Sequence, residues 1–324
     1  MANSTAQNQT AAELNVDVLA RQIFETMLKV HGNKPGFRTV HAKGLVCFGT
    51  FTPAPAAAGL SKAAHFQGPD VPVTVRFSDG APDPMVPDNA GEAGPRGIAI
   101  RFQPPGGKES DIVALSQNGF VVGTGEEFLE LQKAIVATDP SKPHPWPVEQ
   151  FLGTRPRALK FATGIRAVPA SFANEAFFGN NAFVFENKNG TRQPGRYQIL
   201  PVAGQRRLSE EEAKAKSANF LIDDLRSRLA SGAIQYRLVV QLPNPGDPTG
   251  DPSLVWPDDR KAIEVGTLSI TSVAADSAKN ERDLGFFPTN LTEGIELSDD
   301  PLPDLRSRVY LLASTHRQKY GGKV

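Results

Sequence analysis

Arg306, Tyr310 and Arg317 are spaced four and seven residues apart. Those steps are close to one and two turns of an α-helix, so a helix through this segment presents all three side chains on one face. Leu305, Val309 and Leu312 fall on a different, apolar face. A tyrosine flanked by two guanidiniums is suited to ionisation. A free phenol has a pKa of about 10, so a phenolate at neutral pH costs roughly 4 kcal/mol. Neighbouring cations, and a ferric ion bonded to the oxygen, can supply that energy. On the helix alone, a tyrosine packed beside solvated arginines accounts for the same pattern.

A second constellation lies near the N-terminus. His41 begins a strand-like run and Arg38 precedes it by three residues. In PVTVRFSD (72–79) the residues alternate, with Val73, Val75 and Phe77 on one face and Thr74, Arg76 and Ser78 on the other. That places a guanidinium able to hold an anion beside a hydroxyl. Taken singly, each of these residues reads as structural.

The rest of the composition narrows the setting. Lys and Arg total 35, and Asp and Glu total 35, so the chain has no global electrostatic claim on nucleic acid or anionic membrane. One cysteine excludes an intrachain disulfide and a multi-thiolate metal site. Five histidines and four tyrosines are the whole supply for imidazole or phenol chemistry. The start of the chain has no basic n-region or apolar h-region, and no apolar run approaches the ~20 residues of a membrane span. The expectation is a soluble cytoplasmic protein. No HExxH, CxxC or Walker pattern occurs, and Gly123 and Gly125 in VVGTGEEF read as a strand-to-helix turn.

The elements that must position these residues follow from periodicity. Residues 1–12 are expected to be disordered, and a single domain is expected over 13–322. A helix is expected through LNVDVLARQIFETMLKVHG, ending at Gly32. Strand-like runs cover 42–51, 72–79, 96–102 and 111–116, separated by Pro and Gly clusters. Helices are expected over 125–137, in PVEQFLG and ALKFATGIRA, and twice within LSEEEAKAKSANFLIDDLRSRLASG. Asn189-Gly190 marks a hairpin between further strands. AIQYRLVVQL and KAIEVGTLSIT add two more. The last helix runs from about 301 to 320, with Asp300 as its cap. About eight strands that do not alternate strictly with helices predict a closed antiparallel barrel with packed helices, not a parallel doubly wound sheet. His65 and His144 are expected to face solvent, Cys47 to be a small buried apolar residue, and Trp256 to pack at a loop-to-strand corner.

Six segments in order resemble signature motifs of the haem catalases. They are Arg38-Thr39-Val40-His41-Ala42-Lys43-Gly44, Val75-Arg76-Phe77-Ser78, the 95–102 string PRGIAIRF, the 251–268 run with DPS, WP and EVGTL, Arg306-x-x-x-Tyr310, and His316-Arg317. The resemblance spans nearly the whole chain. It implies an α+β, catalase-like fold: an eight-stranded antiparallel β-barrel with inserted and C-terminal helices, holding one haem b. Tyr310 would ligate the iron as tyrosinate, and Arg306 would hold its oxygen ionised. His41 would be the distal base that moves a proton between the two peroxide oxygens, with Ser78 behind its ring and Val40 narrowing the approach. Arg38, Arg76 and Arg317 match arginines that pair with haem propionates. Phe128 matches a phenylalanine that stacks on the haem.

The distal amide departs from the family pattern. Where larger catalases read DLVGNNTPVFF, this chain reads DIVALSQNGFVV. Asn118 is the expected distal amide, with Gln117 second. The Pro-Asp that follows the ligand tyrosine in larger enzymes is Leu311-Leu312 here.

The chain is expected to lack the long N-terminal arm and the C-terminal flavodoxin-like domain, as in the small catalase-related peroxidases. A shorter, wider route to the haem would then admit organic hydroperoxides and reducing co-substrates. The expected activity is haem peroxidase chemistry on hydrogen peroxide or organic hydroperoxides through a ferryl intermediate, with weak catalase activity. The expected partners are a peroxide and a small-molecule electron donor, in a monomer or homodimer. Rearrangement of fatty-acid hydroperoxides, as in the allene oxide synthase branch, is the alternative. That branch places Thr directly before the distal histidine, where this chain has Val40. A haem carrier or sensor without turnover is the third reading.

Overall fold

Apolar residues at every second position build the strands, and the computed structural model describes residues 2–164 and 167–320, with side chains from residue 15 onward. In chain order the elements begin with α1 (Ala2–His31), β1 (Gly44–Pro53), α2 (Ala57–Leu60), β2 (Val71–Ser78), β3 (Gly97–Phe102) and β4 (Ser110–Leu115). Then come α3 (Gly125–Ala137), α4 (Pro147–Gly153), α5 (Pro156–Thr163), β5 (Phe177–Phe178), β6 (Phe183–Glu186) and β7 (Arg192–Pro201). The chain continues through α6 (Glu210–Lys214), α7 (Phe220–Ser231), β8 (Ile234–Gln241) and β9 (Ala262–Val273). It closes with α8 (Ser277–Asp283), β10 (Ile295–Leu297) and α9 (Leu302–Tyr320).

Eight strands close on themselves. The order β1-β2-β3-β4-β5-β7-β8-β9 returns to β1, every pairing antiparallel. Closure leaves no exposed edge within the ring. β6 and β10 extend the sheet outside it from β7. The expected barrel is therefore present. Its strands match the expected runs to within a residue or two, except β5. That two-residue strand is too short to show periodicity, yet it bridges β4 through Leu115↔Phe178 and β7 through Phe177↔Ile199. The hairpin at Asn189-Gly190 joins β6 to β7, with Gly190 at φ 77°.

One apolar cluster fills the barrel, including Phe51, Phe77, Phe102, Phe177 and Tyr236, all fully buried. A second joins α1, α3 and α9 through Ile23, Phe24, Met27, Leu129, Leu305 and Val309. The α9 backbone starts where expected, with the Leu302 amide donating to Asp300 Oδ1 at 2.9 Å. Arg308 adds a 2.5 Å ion pair to Asp17 on α1. Among the described residues no helix is long and apolar enough to cross a membrane.

Two expectations need correction. α1 begins at Ala2, so helical backbone takes in residues 2–12, where disorder was expected. Ala and Gln favour helix without any apolar periodicity; Met1 lies outside the described residues, as do residues 321–322 of the expected domain. His65 does not face solvent: it is 1% exposed and its ring stacks on Phe102 at 4.4 Å. Its Pro/Gly-flanked loop folds back as a short 3₁₀ turn against the barrel, and burial pushes the imidazole down to about 3. His144 is exposed and bound to Glu149. Cys47 is buried in the barrel, which raises its thiol to about 12. Trp256 packs under the Arg196 guanidinium, 4.3 Å away.

Candidate active site

β2 supplies the first half of the site. Its alternation sends Val73, Val75 and Phe77 into the barrel core, so Arg76 and Ser78 emerge on the opposite face, also buried. Ser78 Oγ lies 3.1 Å from His41 Nδ1. His41 does not begin a strand. It occupies a bend before β1 at φ 55°, the only non-glycine residue with positive φ among the described residues. Long-range bonds hold that conformation. The His41 amide donates to the Gly80 carbonyl at 3.2 Å, and Arg76 Nη2 donates to the His41 carbonyl at 2.8 Å.

Gly97, paired with Ser78 across β2 and β3, makes room for the ring. A Cβ at that position would sit 2.8 Å from Ser78 Oγ and 3.1 Å from two imidazole atoms. Burial first, then the Arg76, Arg38 and Arg306 charges, push His41 down to about 4. At neutral pH the ring is uncharged, and in the tautomer whose Nδ1–H donates to Ser78 Oγ the free lone pair lies on Nε2.

α9 supplies the second half. Arg306 Nε and Nη2 donate to the Tyr310 hydroxyl oxygen at 3.1 and 2.9 Å. The spacing of four delivers this contact from regular helix geometry. The third guanidinium nitrogen, Nη1, donates to Asn181 Oδ1; Asn181 Nδ2 donates to Asp300 Oδ2 at 2.8 Å. Asp300, the helix cap, thus also anchors the chain of contacts that aims Arg306. Asn181 lies 125 positions from Arg306 and carries no local sequence signal.

Arg38, Arg76 and Arg317 converge, as the resemblance implies for anion-holding residues. Arg38 and Arg76 share one carboxylate, Glu281 on α8. Arg38 Nη1 donates to Glu281 Oε2 at 2.7 Å, and Arg76 Nε donates to both Glu281 oxygens at 2.9 Å. Arg317 donates to the Arg282 and Leu284 carbonyls at the end of α8, both at 2.8 Å. Neither α8 nor Glu281 appears in the sequence reading, because its partners lie 205 and 243 positions away.

Val40, Phe120, Phe128 and Tyr310 pack against the α1–α3–α9 cluster. The residue preceding His41 and the tyrosine on α9 therefore border one apolar space. Phe120 stacks on Phe128 at 5.9 Å. Of the two amide candidates, Gln117 Nε2 is committed to the Phe161 carbonyl at 3.0 Å. Asn118 is half-buried, and among the described residues its side-chain amide has no hydrogen-bond partner.

This donor set fits a metal that brings its own equatorial ligands. Among the described residues no cluster of His, Cys, Asp and Glu could hold a bare ion. Tyr310 offers one oxygen already receiving two N–H bonds, beside apolar walls and an arginine group suited to carboxylates. A haem meets all three features.

Comparison with known proteins agrees. The sequence profile of the catalase family matches residues 2–324. A catalase-related peroxidase of Mycolicibacterium paratuberculosis is 35% identical over 292 residues, covering 89% of this chain and 91% of that protein. One of Synechococcus elongatus is 32% identical, covering 92% and 88%. The crystal structure of a fungal catalase superposes with a TM-score of 0.75 at 22% identity. It covers 89% of this chain but only 60% of the fungal one, which carries substantial additional chain.

Proposed function

Since the chain belongs to the catalase family, we propose that it is a haem-dependent peroxidase that reduces hydrogen peroxide or organic hydroperoxides with a small-molecule donor, and releases oxygen as a weaker, catalase-type side reaction. The overall balance is ROOH + 2 AH giving ROH, H2O and two oxidised donors. The observation that carries this reading is the pair of Arg306 N–H bonds to the Tyr310 oxygen.

Tyr310 would hold the iron of a haem b. Arg306, itself aimed by Asn181, keeps charge on the phenolic oxygen. Arg38, Arg76 and Arg317 would take the propionates. Phe128 and Val40 would form apolar walls of the haem site. When bound, the haem supplies the electrons that the O–O bond receives.

The chain's own residues handle the proton. His41 Nε2 would accept it from one peroxide oxygen and return it to the other, so that water or alcohol leaves instead of a basic anion. The low affinity of His41 for protons keeps it in the accepting form at neutral pH. Ser78 and Gly97 fix the ring's position. The free amide of Asn118 supports it, over Gln117, as the group that orients the peroxide.

The test is to measure donor oxidation and oxygen release in one preparation, with hydrogen peroxide and with an organic hydroperoxide. Oxidation of a phenolic donor by the organic hydroperoxide is the expected result. Fast oxygen release with no effect of any donor would overturn the peroxidase reading. Val40 in place of the Thr of allene oxide synthases weighs against hydroperoxide rearrangement, and the catalase-related relatives lend that alternative no support.

A further inference from the structure

Among the arginines assigned above to the propionates, three guanidiniums surround a single carboxylate. Arg76 and Arg317 are buried, and Arg38 is largely so. Among the described residues Glu281 is the one carboxylate that bonds this group, and Asp283 adds a longer-range attraction on Arg317. Burial, and then repulsion from Arg76 and Arg317, press Arg38 well below the ordinary guanidinium range. Glu281, although buried, is held below the ordinary carboxylate range by Arg76 and Arg38.

We propose that Glu281 is a positioning residue for the cofactor, a fixed counter-ion kept in the loaded protein that holds Arg38 and Arg76 and trims the arginine seat to match a two-carboxylate porphyrin edge. The inference rests on the haem reading above. The donor count separates it from a plug that the cofactor would expel. Glu281 takes Arg38 Nη1 and Arg76 Nε, with Arg76 Nη2 at 2.8 Å from its Oε2. Backbone carbonyls of Leu284 and Arg282 take Arg38 Nη2, Arg317 Nε and Arg317 Nη2. Among the described residues, Arg38 Nε, Arg76 Nη1 and Arg317 Nη1 have no hydrogen-bond partner. One donor on each arginine is thus available to further carboxylates with Glu281 still in place.

Glu281 also reaches the distal base indirectly. It orients Arg76, whose Nη2 holds the His41 carbonyl at 2.8 Å. The carboxylate therefore couples the propionate seat to the strained backbone that aims the imidazole.

The experiment follows haem transfer from the intact holoprotein to excess apomyoglobin, in wild type, Glu281→Gln and Glu281→Asp. Glu264→Gln, at a carboxylate on β9 whose partner is the exposed Arg237, serves as a control. Loss from Glu281→Gln is expected to be about tenfold faster than from wild type, in keeping with the loss of charge-assisted bonds. Glu281→Asp should be intermediate and the control unchanged. Proteins loaded with haem dimethyl ester, which has no propionate charge, supply the discriminating arm. There the ratio of Glu281→Gln to wild type should collapse to about one.

A Glu281→Gln rate equal to or slower than wild type overturns the proposal, and a slower rate identifies a plug. An unchanged ratio with the ester also overturns it, since general loosening of α8 would act on both porphyrins. If Glu281→Gln does not fold, Glu281→Asp carries the same two comparisons. If wild type takes up no haem at all, the haem reading fails and the inference falls with it.

Discussion

Tyr310 sits in the middle of α9, where an unbroken helix places Arg306 one turn away and brings its N–H groups to the phenol oxygen at 2.9–3.1 Å. His41 sits in a bend at φ 55°, between Gly80, Arg76 and Ser78, with Gly97 leaving space for its ring. The first residue is placed by local geometry. The second is placed by four strangers in sequence that hold an uncommon backbone conformation. A helix tolerates change around Tyr310 as long as the spacing of four survives. The His41 arrangement tolerates little, because Arg76, Ser78 and Gly97 are also part of the barrel. The electrostatics differ in the same way. Arg306 bonds the Tyr310 oxygen directly, while burial first and then cations at a distance keep the His41 ring neutral.

The largest effect should come from the helical side. Tyr310→Phe removes the oxygen proposed to hold the iron, so the purified protein should lose its Soret band while keeping its far-ultraviolet spectrum. A haem-loaded Tyr310→Phe protein with wild-type optical features would remove the basis for the comparison. His41→Asn should keep the Soret band, since Asn tolerates positive φ. Its reaction with peroxide should slow by roughly 10²–10⁴, the usual share of a positioned acid–base group. Stopped-flow mixing measures this directly.

Smaller effects test the supports on each side. Gly97→Ala drives a methyl against Ser78 and His41. We expect about a tenfold loss in peroxide reactivity with haem content unchanged, near the cost of a misplaced base. Asn181→Ala frees Arg306 Nη1 but leaves both bonds to Tyr310. A several-fold loss, smaller than for Gly97→Ala, is expected because helix geometry still positions Arg306. Equal losses in the two variants would show that both sides depend on tertiary support to the same degree.

The smallest effect concerns stability and pH. His41 and His65 are held at about 4 and about 3 in the folded protein, below the ordinary imidazole value of 6.5. The unfolded chain therefore binds protons first as pH falls. Stability is fully present above about pH 6.5 and declines as pH falls toward the folded values, by at most ~1.4 kcal/mol per pH unit for each ring. Urea unfolding of the haem-free protein between about pH 7 and pH 5 reads this slope. His65→Phe should flatten it by about one proton, leaving the shares of His41 and His31 and the opposing share of Asp79, whose carboxyl burial raises to about 8.

Particular residues show how far the sequence was legible. The 306–310 contact, the 76/78 pairing on one strand face and the Asn189-Gly190 turn all depend on neighbours within a few positions, where spacing alone dictates geometry. β5 was missed because two residues show no period. Gly97, Asn181 and Glu281 were missed because each matters only through a partner on another element. His65 was misread because Pro and Gly nearby signal a loop but not which way it folds.

By itself the sequence determined the secondary structure that carries Tyr310, Arg306, Arg76 and Ser78, and the motif order that resembles the catalases. Those are consequences of backbone period and residue type. Only the tertiary structure decided that His41 is strained and neutral, that Arg38 and Arg76 meet on Glu281 with Arg317 bound beside them at the end of α8, and that β5 closes the ring. Burial, charge repulsion and closure arise between segments brought together by folding, and no local spacing encodes them.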